Sequence, residues 1–172
     1  MKFSGKTALV TGASTGVGEA IAKELFSRGL TVVIAARNEA QVTETARNMD
    51  ASGRQVIPMV VDVREPASVK NLIDDVIERF GCIHYLVNNA GITGPHGVSI
   101  CDYEVDDWQN IIQTDLSGVF YGMKYAIPAI LKSGGGAIVN LSAVNGVIGI
   151  PGTASYTCAK LGVFGLTQSA AH

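Results

Sequence analysis

The chain has 172 residues, 47 % of them hydrophobic but only 6 % aromatic, and a net charge of −2. Such a length supports one domain with a large core, built here mostly from Val, Ile, Leu and Ala. A slightly acidic balance without a basic run excludes nucleic acid or an anionic membrane surface as the main partner, and no apolar run reaches the ~18 residues that span a bilayer. Met1 to Lys6 leads straight into the strand-like TALV, too short for a secretory core. Cys82, Cys101 and Cys158 are odd in number and lack metal-ligand spacing, and His84, His96 and His172 are scattered. We expect no metal site and a reduced, cytoplasmic setting.

Taken in chain order, KTALV (6–10) reads as a first strand. Val17, Ala20, Ile21 and Leu25 then share one face of a helix from about Val17 to Arg28, stopped by Gly29. TVVIAA (31–36) is the second strand. Asn38, with Gln41 three residues on, opens a helix in the manner of a capping box, closing near Gly53. QVIPMVV (55–61) is the third strand. Pro66 suits a first helical turn, and Val69, Leu72, Ile73, Val76, Ile77 and Phe80 form a buried stripe up to Gly81. IHYLV (83–87) and AIVNL (137–141) are the fourth and fifth strands, separated by one long helix from about Val105 to Leu131. A last helix runs from about Ser155 to the end.

Strands this apolar, alternating strictly with helices, predict an α/β fold over residues 1–172. The expected form is a doubly wound Rossmann-type parallel sheet of strand order 3-2-1-4-5. Gly12, Gly16 and Gly18 follow the first strand and open the first helix. There the chain can turn tightly at Gly12, approach a pyrophosphate at Gly16 and pack closely at Gly18, while helix amides face the anion. Ser14 and Thr15 add hydroxyl donors. The second strand ends in Ala35-Ala36-Arg37-Asn38, without the carboxylate that binds the ribose 2′-hydroxyl of NAD. A guanidinium at Arg37 suits a 2′-phosphate, which favours NADP(H) over NAD(H).

The sequence thus carries Thr11-Gly12-Ala13-Ser14-Thr15-Gly16-Val17-Gly18, Asp62-Val63, Asn88-Asn89-Ala90-Gly91 and Tyr156-x-x-x-Lys160 in this order. The combination resembles the short-chain dehydrogenase/reductase family over the whole chain. The resemblance implies that Val17 joins the glycines of the phosphate loop, that Asp62 and Val63 flank the adenine, and that Asn89, Ala90 and Gly91 line the ribose. It assigns Tyr156 as general acid/base and Lys160 as its partner, which also holds the nicotinamide ribose. A tyrosine and a lysine four apart also occur on ordinary helices; the accompanying motifs give the pair its meaning. A free phenol titrates near ~10, and a lysine one turn away on the same face favours the phenolate.

Three departures from the family pattern stand out. The substrate-orienting serine belongs thirteen positions before the tyrosine, where this chain has Ala143. Ser142 lies one position earlier, and a bulge could re-aim it into the catalytic role. Asp115 stands where the family has an asparagine that supports a water-linked proton relay. Ionised near Lys160, it would partly cancel the field that favours the Tyr156 phenolate; the alternative is a solvated helical aspartate. The family's sixth and seventh strands and its substrate loop are missing from this sequence. The implied activity is NADP(H)-dependent interconversion of a small alcohol and a ketone or aldehyde. The alternative is a catalytically impaired NADP(H)-binding relative, or a fragment of a longer reductase. Small and apolar residues on the last two long helices suit a homo-oligomer.

Overall fold

The structure, a computed structural model, describes Phe3 and residues 5–171. Met1, Lys2, Ser4 and His172 lie outside the described residues, and with them the ends of the expected domain and of its last helix. Five strands form one parallel sheet: β1 Thr7–Thr11, β2 Thr31–Ala36, β3 Val56–Val60, β4 Tyr85–Asn88 and β5 Ala137–Asn140. Their spatial order is β3-β2-β1-β4-β5, as the alternation of elements predicts. Helices α1 Gly16–Ser27 and α2 Glu39–Met49 cover one face; α3 Pro66–Phe80 and α5 Gly118–Lys132 cover the other. Helices α4 Val105–Ile112 and α6 Ala154–Ala170 complete the chain.

Side-chain alternation along each strand builds the two layers. Ala8, Val10, Val32 and Ile34 pack with Ala22, Val42 and Ala46 of the α1/α2 face. Leu9, Val33 and Ala35 point the other way, onto Val69, Leu72, Ile73 and Val76 of α3 and Ala126 and Ile130 of α5. Central strands covered on both sides are near-continuous apolar runs, and all five residues of β1 are buried, with threonine only at its two ends. Each such large side chain contributes about 1.5–3 kcal/mol by leaving water.

Local chemistry sets the ends. Asn38 Oδ1 accepts from the Gln41 amide at 3.0 Å, the cap read from the sequence. The same helix ends at Met49 rather than near Gly53. The Asp50 carboxylate gathers the amides of Ser52, Arg54 and Gln55, which turns the chain directly into β3. Gly81 ends α3 at φ 72°, a left-handed conformation open to glycine. Pro58 is tolerated inside β3 because that strand lies at the sheet edge. The expected single helix from Val105 to Leu131 is instead α4, a π-helical turn over Gln113–Ser117, and α5. The extra residue of a π turn rotates the segment, and Asp115 lies inside it with no exposed surface.

At the amino edge of the sheet the Thr7 amide donates to Nδ1 of His84 at 3.2 Å, and His84 is 6 % exposed. Only an unprotonated nitrogen can accept that bond. Burial, with Lys6 nearby, holds the imidazole below its ordinary 6.5. The unfolded chain therefore takes up this proton first. The stabilisation is complete above pH 6.5 and is lost as the pH falls through the lowered value. Thermal midpoints measured from pH 7 to pH 5 should fall more steeply for the native chain than for His84→Asn, whose Oδ1 keeps an acceptor near the Nδ1 position. Equal slopes would show that other groups set the acid limb.

Candidate active site

Because all five strands run parallel, the loops after them emerge at one edge, where the strand order reverses between β1 and β4. The loop after β1 is held by two neighbours. Gly12 N–H donates to the Ala35 carbonyl at 2.7 Å, and Asn89 Nδ2 donates to the carbonyls of Thr11 and Gly12 at 2.9 and 3.0 Å. Thr11 Oγ1 accepts from the amides of Asn89 and Ala90, both at 3.2 Å. Gly12 has φ 65°, and a Cβ there would come within 2.7 Å of Ala90 Cα. A Cβ on Gly18 would strike the Gly12 carbonyl and the Asn89 amide. These glycines are thus required by close approach, and the loop is fixed before any ligand arrives.

A cleft of about 570 Å³ opens above this loop. Gly12, Ser14 and Thr15 form its floor. Arg37 comes from the end of β2, Asp62 and Val63 from the end of β3, and Ala90 and Gly91 from the end of β4. Thr15 precedes α1 without a side-chain cap, so the first amides of that helix lack a helical partner. Gly16, Val17 and Gly18 contribute that backbone rather than wall: Val17 is 63 % exposed, and Gly18 is buried behind the loop. The Asn89 side chain clamps the β1 loop, donating to the Thr11 and Gly12 carbonyls.

Asp62 is not a free acceptor. Arg64 grips it through Nε at 3.0 and 3.1 Å and through Nη2 at 2.6 Å, and reaches Asn110 Oδ1 at 3.2 Å. That guanidinium, then the Arg64 amide and the more distant Arg37, hold the Asp62 carboxyl below the usual range against partial burial. Sequence reading missed Arg64, although the spacing Asp-x-Arg was there to be seen. It also missed Asn38 and Gln41, which add polar groups beside Arg37.

Tyr156 and Lys160 stand on α6, and neither lines the cleft itself. Lys160 Nζ lies 5.4 Å from the Tyr156 ring centroid, one turn along the same face, as the spacing requires. Lys160 is 5 % exposed; its Nζ donates to the Leu141 carbonyl at 3.2 Å and lies 3.0 Å from Asp115 Oδ2. Asp115 Oδ1 accepts from the Ile92 amide at 2.8 Å. A Cβ on Gly91 would meet Asp115 Oδ2 at 2.8 Å and Lys160 Nζ at 3.5 Å, so the pair sits directly behind the cleft wall. Asp115 is therefore a buried partner of Lys160 rather than a solvated helix carboxylate. Burial raises its pKa, opposed by Lys160 and the Ile92 amide. Tyr156 is half-buried. Burial and then Asp115 push its phenol upward, whereas the sequence reading expects a downward push from Lys160.

Ser142, considered for the orienting role, is engaged with the backbone of α6. Its Oγ donates to the Lys160 carbonyl at 3.1 Å, which spends its proton on the helix backbone. Ala143 offers no donor. The neighbouring Thr153 is 6 % exposed, and its hydroxyl donates to the Ile150 carbonyl.

The family described as short chain dehydrogenase matches residues 6–172. The chain belongs to the short-chain dehydrogenase family. Its relatives include the cyclohexanol dehydrogenase of Acinetobacter sp. (strain SE19), 38 % identical over 99 % of this chain and 67 % of the relative. Among solved structures, a short-chain dehydrogenase/reductase from Burkholderia phymatum in complex with NAD superposes with TM-score 0.93 at 32 % identity, over 99 % of this chain and 60 % of that one. An actinorhodin polyketide ketoreductase with NADPH gives TM-score 0.89 at 35 % identity, over 96 % and 63 %. The chain therefore spans about two thirds of the length of these family members. Family members of this fold hold either nicotinamide cofactor, so the choice in this short-chain dehydrogenase rests on its own residues. No described helix is long and apolar enough to cross a membrane.

Proposed function

We propose that this chain forms the cofactor-binding and proton-transfer part of an NADP(H)-dependent oxidoreductase that interconverts a small alcohol and a ketone or aldehyde. The observation that carries the reading is the convergence at one sheet edge of a preformed anion loop, Arg37, and the Tyr156–Lys160 turn. The cradle suits a dinucleotide: a Cβ is excluded at Gly12, helix amides are free, and the Arg37 guanidinium lines the cleft, which supports a 2′-phosphate contact. Bound NADPH supplies the hydride. Tyr156 Oη gives its proton to the carbonyl oxygen in reduction and takes it back in oxidation. Lys160, anchored on Leu141, keeps a positive charge beside the phenol. Ser14, Thr15 and the amides of Gly16, Val17 and Gly18 hold the pyrophosphate, and Asp62, Val63, Ala90 and Gly91 bound the nucleoside. The free thiols of Cys82, Cys101 and Cys158 suit a reducing, cytoplasmic setting.

Calorimetric titration should give tighter binding of NADPH than of NADH. An arginine–phosphate pair is worth about 1.5–3 kcal/mol, so Arg37→Ala should lose about ten- to a hundredfold in NADPH affinity and little in NADH affinity. Equal affinities in the unaltered protein would overturn the NADP(H) assignment.

A second reading, a cofactor binder with impaired turnover, draws on Ala143 and on the committed Ser142 hydroxyl. One preorganised donor contributes about 10²–10³ in rate. Ala143→Ser should therefore raise kcat on a carbonyl substrate by about that factor, with cofactor affinity unchanged. A variant no faster than its parent would show that the carbonyl is oriented by other groups.

The proposal includes a homo-oligomer. Val105 and Trp108 of α4, Phe120 of α5, and Leu161 and Phe164 of α6 are all at least 38 % exposed, an apolar load suited to a helix-mediated interface. Sedimentation at micromolar concentration should report more than one chain; a single-chain mass would remove the oligomer.

A further inference from the structure

Asp115 is the most deeply buried ionisable group beside Tyr156, with no exposed surface. It is approached only by donors: the Ile92 amide on Oδ1 and Lys160 Nζ near Oδ2. These donors favour the ionised carboxylate, against the burial that raises its pKa. Oδ2 receives no well-directed hydrogen bond, so the Lys160 contact acts through charge rather than through a shared proton. Three segments fix this arrangement: the π turn that carries Asp115, the glycine corner at Gly91, and the end of β5, whose Leu141 carbonyl holds Lys160 from the other side.

We propose that Asp115 is a positioning residue that occupies the charge of Lys160, keeps Tyr156 protonated, and so biases the site toward carbonyl reduction. The direction of turnover rests on the oxidoreductase reading above; the effect on the phenol does not. Reduction requires a protonated Tyr156, which gives up its proton as the carbonyl carbon receives the hydride. Oxidation requires the phenolate, which takes the alcohol proton as hydride leaves the carbon. A lysine beside the ring stabilises the phenolate only to the extent that its charge is uncompensated. At 3.0 Å, the Asp115 carboxylate compensates it.

The ionisable groups around Tyr156 are few among the described residues. Asp115 faces it from the π turn and Lys160 from its own helix. Tyr103, from the segment before α4, reaches Ser155 Oγ at 2.6 Å, next to Tyr156 in sequence. His96 is exposed on the segment whose Gly97 packs against Gly152, and Cys158 is exposed two residues beyond Tyr156. Burial of the ring and the Asp115 charge both favour the neutral phenol.

The test is an ultraviolet phenolate titration of the whole chain, with the Tyr156 step identified by its loss in Tyr156→Phe. In Asp115→Asn, which keeps an acceptor for the Ile92 amide but removes the charge, that step should move down by about one pH unit. Where turnover is measurable, the alkaline rise of alcohol oxidation should move with it, raising oxidation at pH 7 about tenfold relative to reduction. Asp115→Glu retains the charge and should keep the step within a few tenths of a unit of the native position. It also covers the case in which the asparagine variant does not fold. A step unchanged in Asp115→Asn, or shifted equally by glutamate and asparagine, would overturn the proposal. A shifted step without any carbonyl turnover would leave the positioning role standing and instead refute the oxidoreductase reading.

Discussion

The contact between the ends of β1 and β4 is the constraint on which the site depends. Thr11 and Asn89 bind one another's backbone in both directions, and Gly12 and Ala90 approach so closely that no side chain fits between them. A parallel sheet that reverses its winding must leave a crevice at this point. Here the two walls of the crevice are tied together at its base, which fixes the α1 amides relative to the corner at Gly91. The loop after β1 is thereby fixed relative to Gly91, behind which Asp115 and Lys160 lie. Preorganisation of this kind lowers the ordering cost of binding a long, flexible dinucleotide.

The second centre is electrostatic. Lys160 is buried, and a buried ammonium is costly unless it is paired. It has two partners with different consequences. The Leu141 carbonyl compensates the charge only weakly and leaves a field at Tyr156. The Asp115 carboxylate compensates it strongly and removes much of that field. The sequence difference between an amide and a carboxylate at position 115 is therefore larger in effect than its single atom suggests. The same geometry that holds the lysine in place determines how much of its charge the phenol feels.

Much of this was legible in the residues. The period of the apolar positions marked every strand, and strict alternation with helices left one plausible strand order. Asn38 announced its helix, Pro66 and Gly81 bounded another, and the glycine spacing located the anion loop. What escaped was whatever depends on a group's direction rather than its identity. Asn89 could be read as a wall residue, because nothing in its neighbours tells that its amide turns back onto Thr11 and Gly12. Ser142 looked re-aimable, but its partner is a carbonyl eighteen residues on, which carries no side-chain signature. The π turn at Gln113–Ser117 was hidden because an inserted residue leaves the apolar pattern on either side nearly intact.

The same distinction explains why Asp115 was legible as a charge that could oppose Lys160, while a solvated helical aspartate also stayed open to reading. On an uninterrupted helix, an aspartate among polar residues belongs on the solvent side. The π turn moves it inward, where the Ile92 amide and Lys160 await it. Each of these contacts alone would be insufficient. The Ile92 bond without Lys160 would leave a buried charge unpaired, and Lys160 without the π turn would face only a carbonyl. Backbone irregularity, glycine corner and ion pair therefore stand or fall together, and their common product is a lysine whose position is secure and whose charge is largely spoken for. A site built this way separates the two services a lysine can give a neighbouring tyrosine, holding the local geometry and supplying a field, and this chain keeps the first while attenuating the second.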